Sequence, residues 1–456
     1  MTSELLAPIF GSDSMRAVFD DAARIRAMLT FEAALAGAEA DAGVIPEDAA
    51  ALIAAACETF RPNIRELGHA AREQSAPSIP FVKALTAHCP EEARGWVHWG
   101  ATSQDVIDTA LVLQMREGCA LIEADIDALG DLLAALATDY RSTVMAGRTL
   151  LQPALPITFG FKCAGWLDAL ADARTGLARA TGDALALQFG GAVGTLSALG
   201  EDGEAVRQAL GRRLELPVPA APWHTNRTRI VRLCGELALL ANVLSKIAGD
   251  MALLMQPEIG ELAEPAGDGR GGSSTMPHKR NPVSAVAVRA NAHRVNGLVS
   301  TLQNAMAHEH ERGAGGWQVE WTTVPELFEL AAGSLAHLRA TLDGLTVDAG
   351  RMRANLEVGG GTMMAEALMM ALAPHTGRLN AHHLIGELAR KASETGASLG
   401  DVAKQDSRVI EQLGPAEIDR AVTPDSYLGR AEDTVDAVLA RWKEIRAGGI
   451  DADTRR

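Results

Sequence analysis

Residues 230–254 read IVRLCGELALLANVLSKIAGDMALL and carry an unbroken apolar pattern. The apolar positions follow one another in steps of three and four: Ile230, Leu233, Leu237, Leu240, Leu244, Ile247, Met251 and Leu254. This spacing places about one apolar side chain per turn on the same face of an α-helix. It predicts a helix roughly 40 Å long, since each residue adds about 1.5 Å, packed lengthwise in a bundle.

Two further seams of the same kind lie before and after this stretch. The earlier one contains Ile122, Ile126, Leu129, Leu133 and Leu136, and the later one contains Val288, Ala292, Val295, Val299, Leu302 and Met306. Aromatic residues make up only 4% of the chain although hydrophobic residues make up 47%, which favours close-packed helices over sheets. The sequence therefore predicts an all-α protein whose long helices also pack against other subunits.

The length of 456 residues would normally divide into two or three domains. We predict three: an N-terminal helical domain over residues 1–109, a central long-helix domain over residues 110–348 and a C-terminal helical domain over residues 349–456. Three consecutive glycines, Gly359, Gly360 and Gly361, interrupt the start of the third domain.

The composition limits the classes of partner. A net charge of -16 argues against nucleic acid, because phosphate binding needs a basic surface. The five cysteines are scattered without metal-ligand spacing, which favours a reduced, cytoplasmic location and no metal site. The N-terminus lacks the features of a secretory signal, and the longest uncharged run, residues 184–200, is too short and too rich in glycine to span a membrane. We expect no cofactor.

Residues 269–282, GRGGSSTMPHKRNP, are where chemistry is expected. Glycine before paired hydroxyls lets backbone N–H groups approach a ligand. Asn281 and Pro282 predict an N-cap and the first position of a helix, whose free N–H groups would face an anion beside Lys279. Such donors could stabilise the alkoxide of Ser273. The alternatives are a flexible linker and a dinucleotide-binding glycine pattern, and no strand precedes the loop as the latter requires.

The same string resembles the signature of the fumarase/aspartase superfamily, which includes fumarase, aspartase, argininosuccinate lyase and adenylosuccinate lyase. The resemblance implies an all-helical homotetramer with active sites shared between subunits. It also implies reversible elimination β to a carboxylate through an aci-carboxylate intermediate. On this resemblance Ser273 is the catalytic base, and Lys279 and Asn281 bind a small polycarboxylate substrate.

Residues 98–105, HWGATSQD, form a second motif. Thr102 and Asp105 have capping-box spacing and predict a helix from here to about Tyr140. By itself the motif requires no more than that Thr102 and Ser103 cap the helix. The resemblance implies instead that His98, Thr102 and Ser103 bind a substrate carboxylate.

Residues 147–160, GRTLLQPALPITFG, contain two prolines and predict a loop that enters a helix through Trp166. The segment resembles the second region of the superfamily. Gln152 matches a substrate-binding position, but Leu150 stands where relatives have a histidine that acts as general acid or its relay.

The leucine carries information about the reaction. An alkoxide must be protonated as it leaves, since its conjugate acid has a pKa of roughly 15.7, whereas a carboxylate of pKa about 4 needs no acid. The sequence therefore indicates that a carboxylate attacks or departs, as in the bacterial 3-carboxy-cis,cis-muconate cycloisomerases of the superfamily. Another histidine, such as His98 or His224, could supply the acid instead. The alternative function is a C–N lyase of the adenylosuccinate or argininosuccinate type, and the non-enzymatic alternative is a crystallin-like structural protein.

Three other segments complete the prediction. Residues 188–196 are rich in glycine and are expected to turn the chain between helices. Residues 222–227 introduce the long helix, with His224 and Arg227 facing the site or capping the helix. His308 and Arg312, four residues apart, are expected on one helix face, and the resemblance to adenylosuccinate lyase-like members makes Arg312 a ligand for a substrate carboxylate.

Overall fold

The computed structural model describes residues 4–265, 267, 271–272, 275–276 and 278–448. The α-helices within these residues are α1 (Ala7–Phe10), α2 (Asp13–Phe19), α3 (Asp21–Asp41), α4 (Glu47–Thr59), α5 (Ile64–Gln74), α6 (Ser78–His88), α7 (Ser103–Asp139), α8 (Phe159–Ala184), α9 (Gly203–Leu214), α10 (Thr228–Leu254), α11 (Val283–Ala305), α12 (Gly316–Leu342), α13 (Ala349–Asn355), α14 (Ala365–Thr376), α15 (Arg378–Thr395), α16 (Leu399–Gln405), α17 (Ser407–Ile410), α18 (Pro415–Ala421) and α19 (Ala431–Arg446). Short 3-10 helices occupy Glu91–Trp96, Ser197–Asp202, Thr362–Met364 and Pro424–Ser426. The strands are β1 (Val144–Thr149), β2 (Gln152–Thr158), β3 (Leu262–Ala263) and β4 (Thr346–Val347).

The all-α prediction is confirmed, since about 70% of the chain is helical. The chain forms two compact units. The first contains residues 1–126, 173–244 and 287–336, and the second contains residues 127–172, 245–286 and 337–456. The division into three domains stays a prediction.

The apolar seams lie where the sequence placed them. All eight seam positions of α10, from Ile230 to Leu254, are buried. In α7 the positions Ile122, Ile126, Leu129 and Leu133 are fully buried, and the helix ends at Asp139, within one residue of the predicted end. The predicted helices at about 103–140 and 230–254 are therefore confirmed, and the helix predicted from Pro282 along the third seam is present as α11 but ends at Ala305.

Contacts within the first unit join its helices into a bundle. The rings of Phe19 on α2 and Phe328 on α12 lie 5.1 Å apart. Asn242 on α10 donates a side-chain hydrogen bond to Asn296 on α11 at 2.9 Å. Arg294 on α11 forms an ion pair with Glu326 on α12.

The second unit contains a β-hairpin where the sequence predicted a loop. Strands β1 and β2 are antiparallel, with Thr149 opposite Gln152, and the register shifts near Gly147. The loop prediction for residues 147–160 is wrong, whereas the helix expected to contain Trp166 is present as α8, which begins at Phe159. In a two-stranded ribbon both strands are edge strands, so Pro153 and Pro156 need not break the ladder.

The C-terminal helices of this unit have a core of their own. Its fully buried members include Leu368, Leu372, Leu399, Val409 and Ile418. The last described helix, α19, contacts the C-terminal part of α7, which belongs to the same unit. There Trp442 Nε1 donates to Asp131 at 2.9 Å.

Helix α10 is also the one described helix long and apolar enough to cross a membrane. Half of its most apolar window of 18 residues is buried within the chain. Core helices of water-soluble proteins have the same length and composition, so this property alone is weak support for a membrane span. The five cysteines are all buried and free.

Candidate active site

The segment 98–105 turns sharply into the start of α7. His98 has a positive φ of 60° and Gly100 one of 68°. The backbone N–H of Thr102 donates to Asp105 Oδ2 at 3.0 Å, which is the N3 half of the predicted capping box. Thr102 and Ser103 are half-buried at the first turn. The cap therefore fixes the two hydroxyl residues at the end of the helix that is predicted to meet substrate.

Asp105 does far more than cap a helix. Its carboxylate is fully buried. It accepts hydrogen bonds from Thr102 N at 3.0 Å, Gly190 N at 3.0 Å, Gly191 N at 2.9 Å, His224 Nε2 at 2.8 Å and Gln188 Nε2 at 3.3 Å. Five donors offset the cost of burying the charge. The sequence identified Asp105 only as a cap, because the other donors are 83 to 119 residues away along the chain.

These bonds bring the glycine-rich segment 188–194 against the segment 98–102. A Cβ on Gly191, whose φ is 70°, would lie 3.0 Å from the carbonyl oxygen of Gly100. On the far side of the same segment, Arg312 Nη2 donates to the carbonyl of Ala192 at 2.8 Å. The first unit thus brings two parts of the predicted site against residues 188–194, the glycine turn: the segment 98–105, which carries His98, Thr102 and Ser103, and Arg312. The expectation that residues 188–196 turn the chain between helices is confirmed.

The prediction that His308 and Arg312 share a helix face is wrong. Helix α11 ends at Ala305, and residues 306–315 form turns and a single bridge between Ala307 and Asn226. Gly315, with a φ of 115°, keeps the end of this segment out of helical conformation, and α12 begins only at Gly316. Arg312 reaches the site from this irregular segment.

His224 and Arg227 are both buried, and the structure separates their roles. Arg227 forms ion pairs with Asp108 at 2.7 Å and Glu320 at 2.5 Å, and its guanidinium lies over the Trp223 ring at 4.7 Å. Burial raises the pKa of Glu320, and Arg227 lowers it by less. Arg227 is therefore committed to the core. His224 instead contacts Asp105, as given above, and so supports the glycine segment.

His98 has a partner that the sequence did not suggest. Its Nδ1 lies 2.6 Å from Oε1 of Glu32, a residue of α3 that is only 1% exposed. Burial lowers the pKa of His98, but the charge and hydrogen bond of Glu32 and the charge of Asp105 together raise it by more, so the pKa lies above its usual 6.5. The sequence did contain one signal for this pair, a glutamate in the interior of an Ala-rich helix, because a charged side chain is rarely buried without a partner.

The second unit holds the other predicted residues. The turn of the β1–β2 hairpin consists of Leu150 and Leu151, both with positive φ, and their side chains are 97% and 71% exposed. Gln152 follows them and is also exposed. Beneath the turn, Arg148 forms a bidentate pair with the fully buried Glu261, at 2.7 and 3.0 Å. This pair anchors the strand that presents Leu150.

The signature loop is described only in part. Ser273, the predicted base, lies outside the described residues, as do Ser274 and Pro277. Asn281 closes the loop, because its backbone N–H donates to Gly271 O at 2.8 Å and its Nδ2 donates to Gly272 O at 3.3 Å. Lys279 is exposed.

One expectation about this loop is wrong. Helix α11 begins at Val283, one residue later than predicted, and two of its first N–H groups are not free. Those of Ser284 and Ala285 donate to the carboxylate of Glu264 at 3.3 and 3.2 Å. An anion at this helix end is thus already supplied by the chain itself, so substrate binding at the loop must rely on other donors.

Comparison with known proteins identifies the family. A family model described as lyase matches residues 10–297, and one described as adenylosuccinate lyase C-terminus matches residues 361–438. The chain belongs to the fumarase/aspartase superfamily of lyases. Within this superfamily it is 48% identical to a 3-carboxy-cis,cis-muconate cycloisomerase from Pseudomonas aeruginosa, covering 96% of each chain. It is 46% identical to one from Bradyrhizobium diazoefficiens, covering 96% of this chain and 98% of the other.

A solved structure of the superfamily shares the fold. The crystal structure of 3-carboxy-cis,cis-muconate lactonizing enzyme from Pseudomonas putida matches with a TM-score of 0.92 and 42% identity. The match covers 97% of this chain and 100% of that one. The fold predicted from the signature loop and the apolar seams is therefore that of the superfamily.

Proposed function

We propose that this protein is a 3-carboxy-cis,cis-muconate cycloisomerase, which converts 3-carboxy-cis,cis-muconate to 4-carboxymuconolactone in the protocatechuate branch of aromatic catabolism. The observation that carries the proposal is the 46–48% identity to cycloisomerases over 96% of the chain. Identity of this extent spans every segment that contributes a predicted site residue.

The chemistry of Leu150 supports the same reaction. In the cyclisation, a carboxylate oxygen of the substrate forms a bond to one alkene carbon, and the alkene electrons move toward the neighbouring carboxylate as an aci-carboxylate. A proton is then delivered to carbon. The attacking oxygen is already an anion in water, so no imidazole is needed to deprotonate it, nor to protonate it in the reverse direction. A leucine at the exposed hairpin turn is compatible with this reaction, whereas expulsion of an alkoxide would need its acid from another residue, such as His98 or His224.

The proposed roles follow from charge and position. Ser273 delivers the proton to carbon. The substrate carboxylates are held by His98, Thr102, Ser103, Gln152, Lys279, Asn281 and Arg312. Arg312 and His98 supply positive charge beside the glycine turn in a chain whose net charge is -16. Local cations of this kind are what an anionic substrate requires on an acidic protein.

The protein is proposed to work in the cytoplasm as a homotetramer with active sites shared between subunits. Superfamily enzymes act on small carboxylates and are typically oligomeric. Several apolar side chains on the described helices and on the hairpin are exposed in the single chain: Leu150, Leu151, Leu239, Leu253 and Val286. Leu150 and Leu151 also adopt the left-handed conformation, which costs about 1 kcal/mol for each residue. Light scattering should give about 192 kDa, four times 48.0 kDa, and a monomer of full activity would contradict the shared site.

The assay follows the conjugated diene of 3-carboxy-cis,cis-muconate by its ultraviolet absorbance, beside a parallel assay for fumarate release. Loss of the diene without fumarate is the expected result. Brisk release of fumarate from adenylosuccinate or argininosuccinate, with the diene unchanged, would favour the C–N lyase alternative. Binding of adenylosuccinate, argininosuccinate or the diene without turnover would favour a structural protein.

The role of Ser273 has its own test. Replacing Ser273 with Ala should lower kcat on the order of a thousandfold, as expected for losing a general acid–base group. Ser274→Ala is the matched control, because it removes the neighbouring hydroxyl of the same loop. Near-normal turnover of Ser273→Ala would remove this serine from the mechanism without affecting the assignment of the reaction.

A further inference from the structure

The contact between Glu32 and His98 is not explained by packing alone. Glu32 lies on α3, 66 residues before His98, in a helix that is otherwise rich in alanine and leucine. Burying a carboxylate is costly unless it is paired. The described residues provide one partner, His98, for Oε1, and none for the buried Oε2. Such a placement is expected when the charge serves the imidazole.

We infer that Glu32 is a positioning residue of the active site, which orients His98 so that its Nε2 donates a hydrogen bond to a substrate carboxylate. The inference rests on the proposed function for the identity of the ligand. The orientation of His98 itself does not depend on it.

The geometry determines which nitrogen carries hydrogen. A carboxylate only accepts hydrogen bonds, so the 2.6 Å contact places a hydrogen on His98 Nδ1. In a neutral ring Nε2 would then have only a lone pair, which would repel a substrate carboxylate. In the imidazolium both nitrogens donate, and Nε2 offers a charge-assisted bond. Only the charged ring can therefore bind Glu32 and an anion at once.

The surrounding charges favour the imidazolium. The acidic groups that act on His98 are Glu32 from α3 and Asp105 from α7, and both raise its pKa against the effect of burial. Glu39, seven residues after Glu32 on the same helix, is fully buried without a partner among the described residues. Burial, with a smaller effect of Glu32, raises the pKa of Glu39 to about 9. Glu39 is therefore neutral near pH 7 and adds no second negative charge to this helix.

The backbone supports the same conclusion. His98 has a φ of 60°, a conformation that non-glycine residues rarely adopt. Strain of this kind persists where the surrounding structure requires it, and it clusters at functional sites. Here it accompanies the 2.6 Å contact between His98 Nδ1 and Glu32 Oε1.

The test replaces Glu32 with Gln and measures His98 directly. In protein labelled with ¹³C-histidine, the His98 resonance is assigned by its loss in His98→Asn and titrated against pH. In Glu32→Gln the midpoint of His98 should fall, because the effect of burial then predominates. With 3-carboxy-cis,cis-muconate, KM at pH 7 should rise about tenfold or more with kcat retained within about threefold, as for a lost charge-assisted bond. The alkaline limb of log(kcat/KM) should move to lower pH.

Two variants control for packing. Glu39→Gln is the same isosteric change two turns away in the same buried helix, and it should leave the His98 midpoint and KM unchanged. Glu32→Asp keeps the charge but shortens the reach, so it should restore part of the midpoint and part of KM. It also keeps the inference testable if Glu32→Gln does not fold.

The possible results separate cleanly. A fall in the His98 midpoint and a rise in KM in Glu32→Gln alone would support the inference. An unchanged midpoint, or equal effects in Glu32→Gln and Glu39→Gln, would overturn it. The titration needs no substrate, so a failure of wild-type protein to use the diene would refute the proposed function while the titration still decided the role of Glu32.

Discussion

Replacing Asp105 with Asn should disrupt the site from a position that need not touch substrate. The change keeps the size and shape of the side chain and replaces one acceptor oxygen with an NH₂ group. In the structure both carboxylate oxygens are occupied: Oδ2 accepts from two backbone N–H groups, and Oδ1 accepts from three donors. Whichever way the new amide is oriented, its NH₂ group must face at least two of these hydrogen-bond donors.

The magnitude follows from this count. The less costly orientation puts the NH₂ group on the Oδ2 side, where the N–H groups of Thr102 and Gly191 lose their acceptor. Each buried donor left without an acceptor costs about 1–3 kcal/mol. The remaining three bonds lose the assistance of the charge. We expect the free energy of unfolding to fall by roughly 3–5 kcal/mol.

The kinetic effect should be larger than the stability effect suggests. The glycine turn that Asp105 holds also contacts Arg312 through the carbonyl of Ala192. A displacement of about 1 Å at a site can lower turnover by on the order of a hundredfold. Unfolding in urea followed by circular dichroism, together with kcat/KM for diene loss, measures both effects.

The matched control is Asp139→Asn, an exposed residue at the other end of the same helix. Its free energy of unfolding should stay within about 0.5 kcal/mol of that of the wild type. If Asp105→Asn unfolded at the wild-type midpoint and kept its kcat/KM, the five donors would not be what holds the turn in place, and the reasoning would be refuted.

Two further predictions concern the same unit. Gly191→Ala should lower both the unfolding midpoint and kcat/KM, because its φ of 70° costs a side chain about 1 kcal/mol and its Cβ would lie 3.0 Å from Gly100 O. The control is Gly182→Ala in α8, where open space surrounds the added Cβ, and it should be neutral or stabilising. Equal effects of the two changes would contradict the argument. Glu39→Gln should stabilise the protein increasingly between pH 5 and 9, since a folded pKa of about 9 against 4.5 makes the wild type lose stability as pH rises through this window. Keeping the Glu39 carboxyl protonated in the folded state costs about 1.4 kcal/mol per pH unit above 4.5, hence up to about 3 kcal/mol at pH 7. Urea unfolding at several pH values measures the difference in stability between the variant and the wild type. A difference independent of pH would show that Glu39 does not titrate as described.

The sequence by itself determined the long helices and the family. In α10 each seam residue is buried because a period of three and four residues keeps the same face of a helix toward the core, whatever the neighbouring element is. The string at 269–282 indicated the superfamily, and the comparisons confirmed it. These properties depend on residues close together in the chain, so a local pattern is enough to predict them.

Only the tertiary structure decided which side chains meet. The prolines of 147–160 predicted a loop, but residues 152–158 pair with residues 144–149 and form a hairpin. The N–H groups at the start of α11 were expected to face a ligand, but Glu264, 20 residues earlier, accepts two of them. Asp105 and Glu32 acquire their roles from partners 85 and 66 residues away. The physical reason is that a buried charge is stabilised by whatever donors the fold brings within about 3 Å, and no spacing along the chain records that distance.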